Sequence, residues 1–255
     1  MSAQTRLFMC RSDNFGVLLH DPKTGATAAI DAPEAAPIEL ALQQTGWKLT
    51  DILVTHHHAD HTDGIMALKA KWKCRVTAPA AEADKIPGVD ATVKEGDKVK
   101  VGTLIGNVIE TPGHTLGHIV YWFHADNLLF AADNLFSVGC GRVIEGTMDQ
   151  MWSSMQKMND LPDETKVFCG HEYTASNIKF ALSVDKGNAA LLARASEAAK
   201  QLAGGQPTIP TTIGEEKKVN PFLRAAEASI AANLGMAGKP ANEVFAELRE
   251  RKNKF

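Results

Sequence analysis

One nine-residue segment, HHHADHTDG at 56–64, constrains this chain more than any other feature, because it runs straight out of the apolar strand-like stretch DILVT. In extended backbone residues i and i+2 share a face, so His56 and His58 aim at one point while His57 turns away. Asp60 and His61 follow on the turn before a helical stretch, where they offer a carboxylate and a third imidazole to a second point. Four metal-competent groups thus come from one short segment.

Three later strand ends repeat the arrangement, each in a turn marked by Gly, Pro or Asp: His114 in ETPGHTLGH, Asp133 in FAADNLF and His171 in CGHEYT. Seven candidates are too many for one tetrahedral zinc and suit two cations, each with a position open to water. Asp133 is the natural bridge, since a carboxylate has two oxygens and can hold both cations roughly 3.5–4 Å apart. The other histidines stay outside this set: His20 and His124 are expected in loops flanking strands, and His57 and His118 beside the ligands rather than among them.

Short apolar runs bounded by turn residues (GVLLH, TAAID, DILVT, CRVTA, LIGNVIE, HIVYWF, NLLFAAD, KVFCG) predict strands, and helical spacing is read at 34–44, 62–72 and 148–158. After His171 the pattern becomes Ala- and Leu-rich, with helices expected at 174–184, 188–202, 225–234 and 241–252 and a breaker at GGQPTIP. The division expected is a catalytic domain at 1–172 and a smaller helical domain at 173–255, in an α+β fold. The Lys/Glu cluster at 215–218 reads as a solvated loop.

A net charge of −3 over 255 residues provides no basic field for a phosphate backbone, so no nucleic-acid partner is expected. No run reaches the ~18–20 apolar residues of a membrane span, and the start lacks the apolar stretch of a secretory signal, so no membrane partner and a cytoplasmic location are expected. A monomer is the expected state. The four cysteines form no CxxC pair and read as buried thiols; none is nominated as a nucleophile.

At THHHADH, TPGHT, ADNLF and GHEYT together, the chain resembles the metallo-β-lactamase superfamily and, within it, glyoxalase II, the hydroxyacylglutathione hydrolases of the bacterial branch. VGCGRVIEGT at 138–147, NPFLR at 220–224 and the ending ELRERKNKF extend the resemblance along the chain. It implies an αββα sandwich with a C-terminal helical domain that helps bind glutathione. It also implies that His56, His58 and His114 bind one metal, Asp60, His61 and His171 a second, with Asp133 bridging; zinc is expected, with iron or manganese as family alternatives. Arg142, Tyr173 and Arg224 are the implied glutathione contacts, consistent with the way Arg forks pair with carboxylates.

The chain departs from the family pattern in places. Ile144 stands where some members have Tyr, no basic residue soon follows Arg224, and Ala132 and Asn134 replace the Gly and Thr of the usual GDTLF. The expected reaction is hydrolysis of S-D-lactoylglutathione by a hydroxide bridging the two metals, with Asp60 and Asp133 as the catalytic carboxylates that hold them. A thiolate leaves without a strong general acid, which favours a thioester over an amide. The rivals are a lactonase or β-lactamase of the same superfamily, a mononuclear-iron persulfide dioxygenase, and a non-catalytic protein that keeps metal only for stability.

Overall fold

The computed structural model describes residues 2–255 as fourteen β-strands, nine α-helices and two 3-10 turns. The strands lie in two six-stranded sheets and a two-stranded ribbon, a mixed α+β architecture. By compactness the residues fall into two units, one running to Glu110 and including Thr115–Phe130, the other made of Thr111–His114 and Ala131–Phe255.

In the first unit β1 (Gln4–Cys10), β2 (Asn14–His20) and β3 (Thr27–Ile30) form an antiparallel meander. It continues in parallel through β4 (Asp51–Leu53), β5 (Arg75–Pro79) and β6 (Ala91–Val93). Parallel neighbours need crossovers, supplied by α1 (Ala35–Thr45) before β4 and by α2 (Ala59–Thr62) with α3 (Ile65–Trp72) before β5. Leu18, Ala29, Ile38, Leu42, Ile52 and Val76 fill the core beneath. Because β3 and β4 are parallel neighbours, their C-terminal ends are adjacent, and the segments following Ile30 and Leu53 emerge side by side.

The rest of this unit is an antiparallel run of β7 (Lys98–Val101), β8 (Leu104–Glu110), β9 (Ile119–Phe123) and the first three residues of β10 (Leu128–Ala132). Asp21 ties the β2–β3 turn to the β7–β8 turn, accepting hydrogen bonds from Thr103 N (2.7 Å) and Thr103 Oγ1 (2.9 Å). Those donors, the Thr103 amide foremost, hold its carboxyl well below the usual range.

The second unit opens with the ribbon β11 (Leu135–Phe136) and β12 (Gly139–Cys140), followed by α4 (Met148–Asn159). A capping box between Thr147 and Gln150 starts α4. Strand β13 (Lys166–Cys169) pairs with β14 (Thr211–Thr212), and the helices are α5 (Thr174–Val184), α6 (Ala189–Ala203), α7 (Ile213–Val219), α8 (Ala228–Asn233) and α9 (Ala241–Lys254). Val138, Ile178, Leu191, Ala198 and Val219 pack one of its cores. Among the described residues no helix is long and apolar enough to cross a membrane.

Residues 215–218 are not the solvated loop their charges predict; they lie in α7. Thr212 caps its first turn by accepting from Glu215 N at 3.1 Å, and Glu216 is wholly buried among hydrogen-bond donors. His20 also differs from expectation: it ends β2, is buried, stacks on Trp47 at 4.3 Å and lies 2.9 Å from Thr27 Oγ1.

Candidate metal centre

The first unit gathers His56, His58, Asp60 and His61 at the end of β4. The His56 ring lies 4.8 Å from that of His58 and 4.2 Å from that of His61. Asp60 and His61 sit on the one-turn helix α2, with Asp60 Oδ2 3.6 Å from His61 Nε2. Asn14 at the start of β2 reaches across to donate to Asp60 Oδ2 at 3.1 Å. His56 and His61 are buried, His58 and Asp60 half-buried.

Asp31, which follows β3, orients two of these imidazoles. Its Oδ2 accepts from His61 Nδ1 at 2.8 Å and from the Thr55 hydroxyl at 2.8 Å, and its Oδ1 accepts from Thr55 N at 2.7 Å. The Thr55 hydroxyl proton points at Asp31, so its oxygen accepts from His56 Nδ1 at 3.0 Å. Both rings therefore carry their proton on Nδ1 and present the Nε2 lone pair, the tautomer a metal ligand needs. The sequence signal for Asp31 is faint: an Asp directly after the apolar run TAAI, with its partners far along the chain.

The second unit gathers His114, Asp133 and His171. Asp133 Oδ2 stands between the two imidazoles, 3.5 Å from His114 Nε2 and 3.3 Å from His171 Nε2. His114 Nδ1 donates to Arg142 O at 2.9 Å, which again assigns the lone pair to Nε2. His171 stacks on Tyr173 with ring centroids 4.8 Å apart, and Phe136 packs edge-on against both rings. Asn134 donates to Thr111 O at 2.8 Å and so pins the turn next to Asp133. Ala132, just before it, takes a left-handed φ of 42°, a conformation that costs a non-glycine residue about 1–2 kcal/mol. The Gly of the family pattern would not meet that cost.

The donor chemistry of both groups fits divalent cations: imidazoles, with Nε2 fixed as the lone-pair nitrogen at His56, His61 and His114, and a carboxylate in each group, Asp60 beside His61 and Asp133 between His114 and His171. Arg142 and Tyr173 are exposed, as a substrate contact must be. Arg224 is half-buried and engaged, pairing with Asp185 and, at 2.6 Å, with Glu227. The Glu227 hydrogen bonds foremost, and Asp185 with them, raise its pKa further. All four cysteines are buried and their thiols raised by that burial, Cys10 and Cys169 to about 12, so none offers a thiolate at neutral pH.

Glu82 and His118 complete the surroundings. Glu82 is buried beneath His57; burial alone would raise its carboxyl, but Thr115, His57 and the Gly117 amide outweigh it and lower the pKa. His118 is buried with its ring 5.0 Å from that of His56.

This fold and its His/Asp clusters define a hydrolase of the metallo-β-lactamase superfamily with the makings of a dinuclear metal site. The superfamily model matches residues 16–171, and a second model, the hydroxyacylglutathione hydrolase C-terminus, matches 172–255. A hydroxyacylglutathione hydrolase of Nitrobacter hamburgensis is 61% identical over 254 residues, covering 100% of both chains. One of Rhodopseudomonas palustris strain BisB5 is 60% identical over 253 residues, covering 99% of both. Among solved structures, ETHE1 from Myxococcus xanthus superposes with a TM-score of 0.70 at 28% identity, covering 98% of this chain and 91% of that one. The chain belongs to the hydroxyacylglutathione hydrolase family, whose members are thioester hydrolases.

Proposed function

We propose that the protein hydrolyses S-D-lactoylglutathione, and 2-hydroxyacylglutathione thioesters as a class, to glutathione and the free acid, the second step of methylglyoxal detoxification. The observation that carries this reading is identity of about 60% to hydroxyacylglutathione hydrolases over essentially the full length of both chains. In this reading His56, His58 and His114 hold one cation, Asp60, His61 and His171 the other, and Asp133 serves both. Zinc is the metal the donor set favours, with iron or manganese able to take the same ligands. The protein is read as a cytoplasmic monomer, with residues 173–255 contributing glutathione contacts.

When bound, the cations supply a hydroxide at neutral pH and a Lewis acid for the thioester carbonyl oxygen. The protein's own part is placement. Asp31 and Thr55 keep His56 and His61 in the Nε2-ligating tautomer, and Arg142 O does the same for His114. Asp133, with Oδ2 close to Nε2 of both His114 and His171, would be the carboxylate that serves both cations. Arg142 offers a fork for a glutathione carboxylate and Tyr173, braced on His171, a hydroxyl. A new C–O bond forms as the C–S bond breaks, and glutathione departs as a thiolate of pKa near ~8.5, so no side chain need deliver a proton to it. Arg224 is the third proposed contact; since it already holds two carboxylates, R224A tests whether it raises KM or acts only on stability.

The deciding assay measures turnover of lactoylglutathione, a lactone, a cephalosporin and, by oxygen uptake, glutathione persulfide, with metal content determined on the same sample. Thioester hydrolysis with two metals per chain is expected. Turnover confined to the lactone or cephalosporin, or oxygen uptake with a single iron, would sink the substrate assignment.

A further inference from the structure

We propose that Glu82 is a positioning residue for the metal-binding loop: its buried carboxylate clamps the segment carrying His56 and His58 to the segment 115–118. The inference rests on the metal-ligand assignment proposed above.

Glu82 sits on the 3-10 turn Ala80–Lys85 that follows β5 and is 1% exposed. Burying a carboxylate is costly unless hydrogen bonds replace its water. Here those bonds converge from two loops. Oε2 accepts from His57 N at 2.9 Å and lies 2.9 Å from His57 Nδ1; Oε1 accepts from Gly117 N at 2.7 Å. His57 is the residue between two proposed ligands, so fixing its amide and its ring fixes the peptide planes from which the imidazoles of His56 and His58 project. Gly117 has no Cβ for a steric reason: one built there would lie 2.6 Å from Glu82 Cγ and 2.8 Å from Ala81 Cβ. The same two segments are tied once more by Ile119 N donating to Thr55 O at 3.0 Å. Between these two ties the loop has little freedom to turn.

The carboxylate is needed as an acceptor on both oxygens. A Gln at this position would turn an amide NH2 toward either the Gly117 or the His57 amide, setting donor against donor, so Glu82→Gln is not conservative here. His57→Ala removes one partner and keeps both backbone bonds. His57→Asn puts a side-chain amide near the place of imidazole Nδ1 and can restore the donor.

The test strips wild type, E82Q, H57A and H57N of metal and titrates each with cobalt(II) and zinc(II), reading affinity by competition with a chromophoric chelator and geometry from the cobalt d–d bands. E82Q is expected to lose ~10–100-fold in affinity for one of the two ions, with altered d–d bands. H57A should lose less, and H57N should recover toward wild type. If E82Q does not fold, the H57A and H57N pair decides. A role confined to stability would lower the unfolding midpoint of the metal-free protein and leave affinities and bands at wild-type values, and that result overturns the inference. Wild type taking up no metal would instead overturn the ligand assignment beneath it.

Discussion

Glu216 is a buried acid whose environment leaves it titrating near neutrality. Its Oε2 accepts from Val138 N (2.7 Å) and Asn220 Nδ2 (2.9 Å), and its Oε1 lies 2.9 Å from the Thr211 hydroxyl. Burial pushes its pKa up to about 7 in spite of those donors. A carboxyl raised in the folded state contributes stability that is complete below its unfolded value near 4.5 and is lost as pH rises through about 7. At ~1.4 kcal/mol per pKa unit, the loss amounts to about 3 kcal/mol by alkaline pH. Gln at this position keeps an acceptor for Val138 N and Asn220 and gains a donor for Thr211, so E216Q should flatten that decline. The difference in denaturation free energy between E216Q and wild type should grow in favour of the variant from pH 6 to 8.5; a constant difference would refute the assignment. Nothing in the sequence announces this group. It belongs to a run that reads as solvated charge, and its partners lie 78 residues upstream at Val138 as well as four and five residues away. The proposed ligands stand out for the opposite reason: HHHADH puts chemistry and spacing into consecutive residues, whereas Asp31 reaches its partners across 24 and 30 residues.

Elements, in turn, are positioned by close approaches that single residues permit. Helix α4 lies against the loop carrying His114: Ser154 Oγ donates to Pro112 O at 2.7 Å, and Gly146 N donates to Gly113 O at 3.1 Å. Gly113 has φ +146°, and a Cβ on it would stand 2.8 Å from Met151 Cβ and 2.9 Å from Met151 Cα. The Cα is backbone of a capped helix and cannot swing aside. Gly113→Ala should therefore force α4 and the His114 loop apart, at about 1–3 kcal/mol by the usual cost of overpacking. Denaturant unfolding checks the energy, and metal content of the variant checks whether His114 moves with the loop; wild-type values for both would show the contact to be slack. Helix α4 itself is readable, because Trp152 and Met155 carry helical spacing; the structure adds the capping box of Thr147 and Gln150 at its start. Strands such as β1, exposed along most of its length, and the two-residue β11, β12 and β14 are not. Their pairing comes from neighbours supplied by the fold, and two residues carry no period to detect.

On the scale of the whole molecule, the change of composition near residue 172 and the division by compactness mark different properties. Composition registers where strands give way to Ala-rich helices. Compactness registers what packs together, and residues 131–171, with Asp133 and His171, belong with α5 to α9. Under the function proposed above, an ion held by the proposed ligands would stabilise the folded state by mass action. At a free metal concentration 100 times the dissociation constant, the gain is ~2.7 kcal/mol for one site, which for a chain of this size is roughly 5–10 °C in Tm. Chelation should lower the Tm of wild type by at least this amount and abolish thioester turnover, and added zinc should restore both. Asp133→Ala, deprived of the carboxylate between His114 and His171, should begin with the lower Tm in the presence of metal and respond weakly to the chelator. If wild type and D133A shift equally on chelation, Asp133 is not a shared ligand; if neither shifts and turnover persists, the hydrolysis does not depend on these ions.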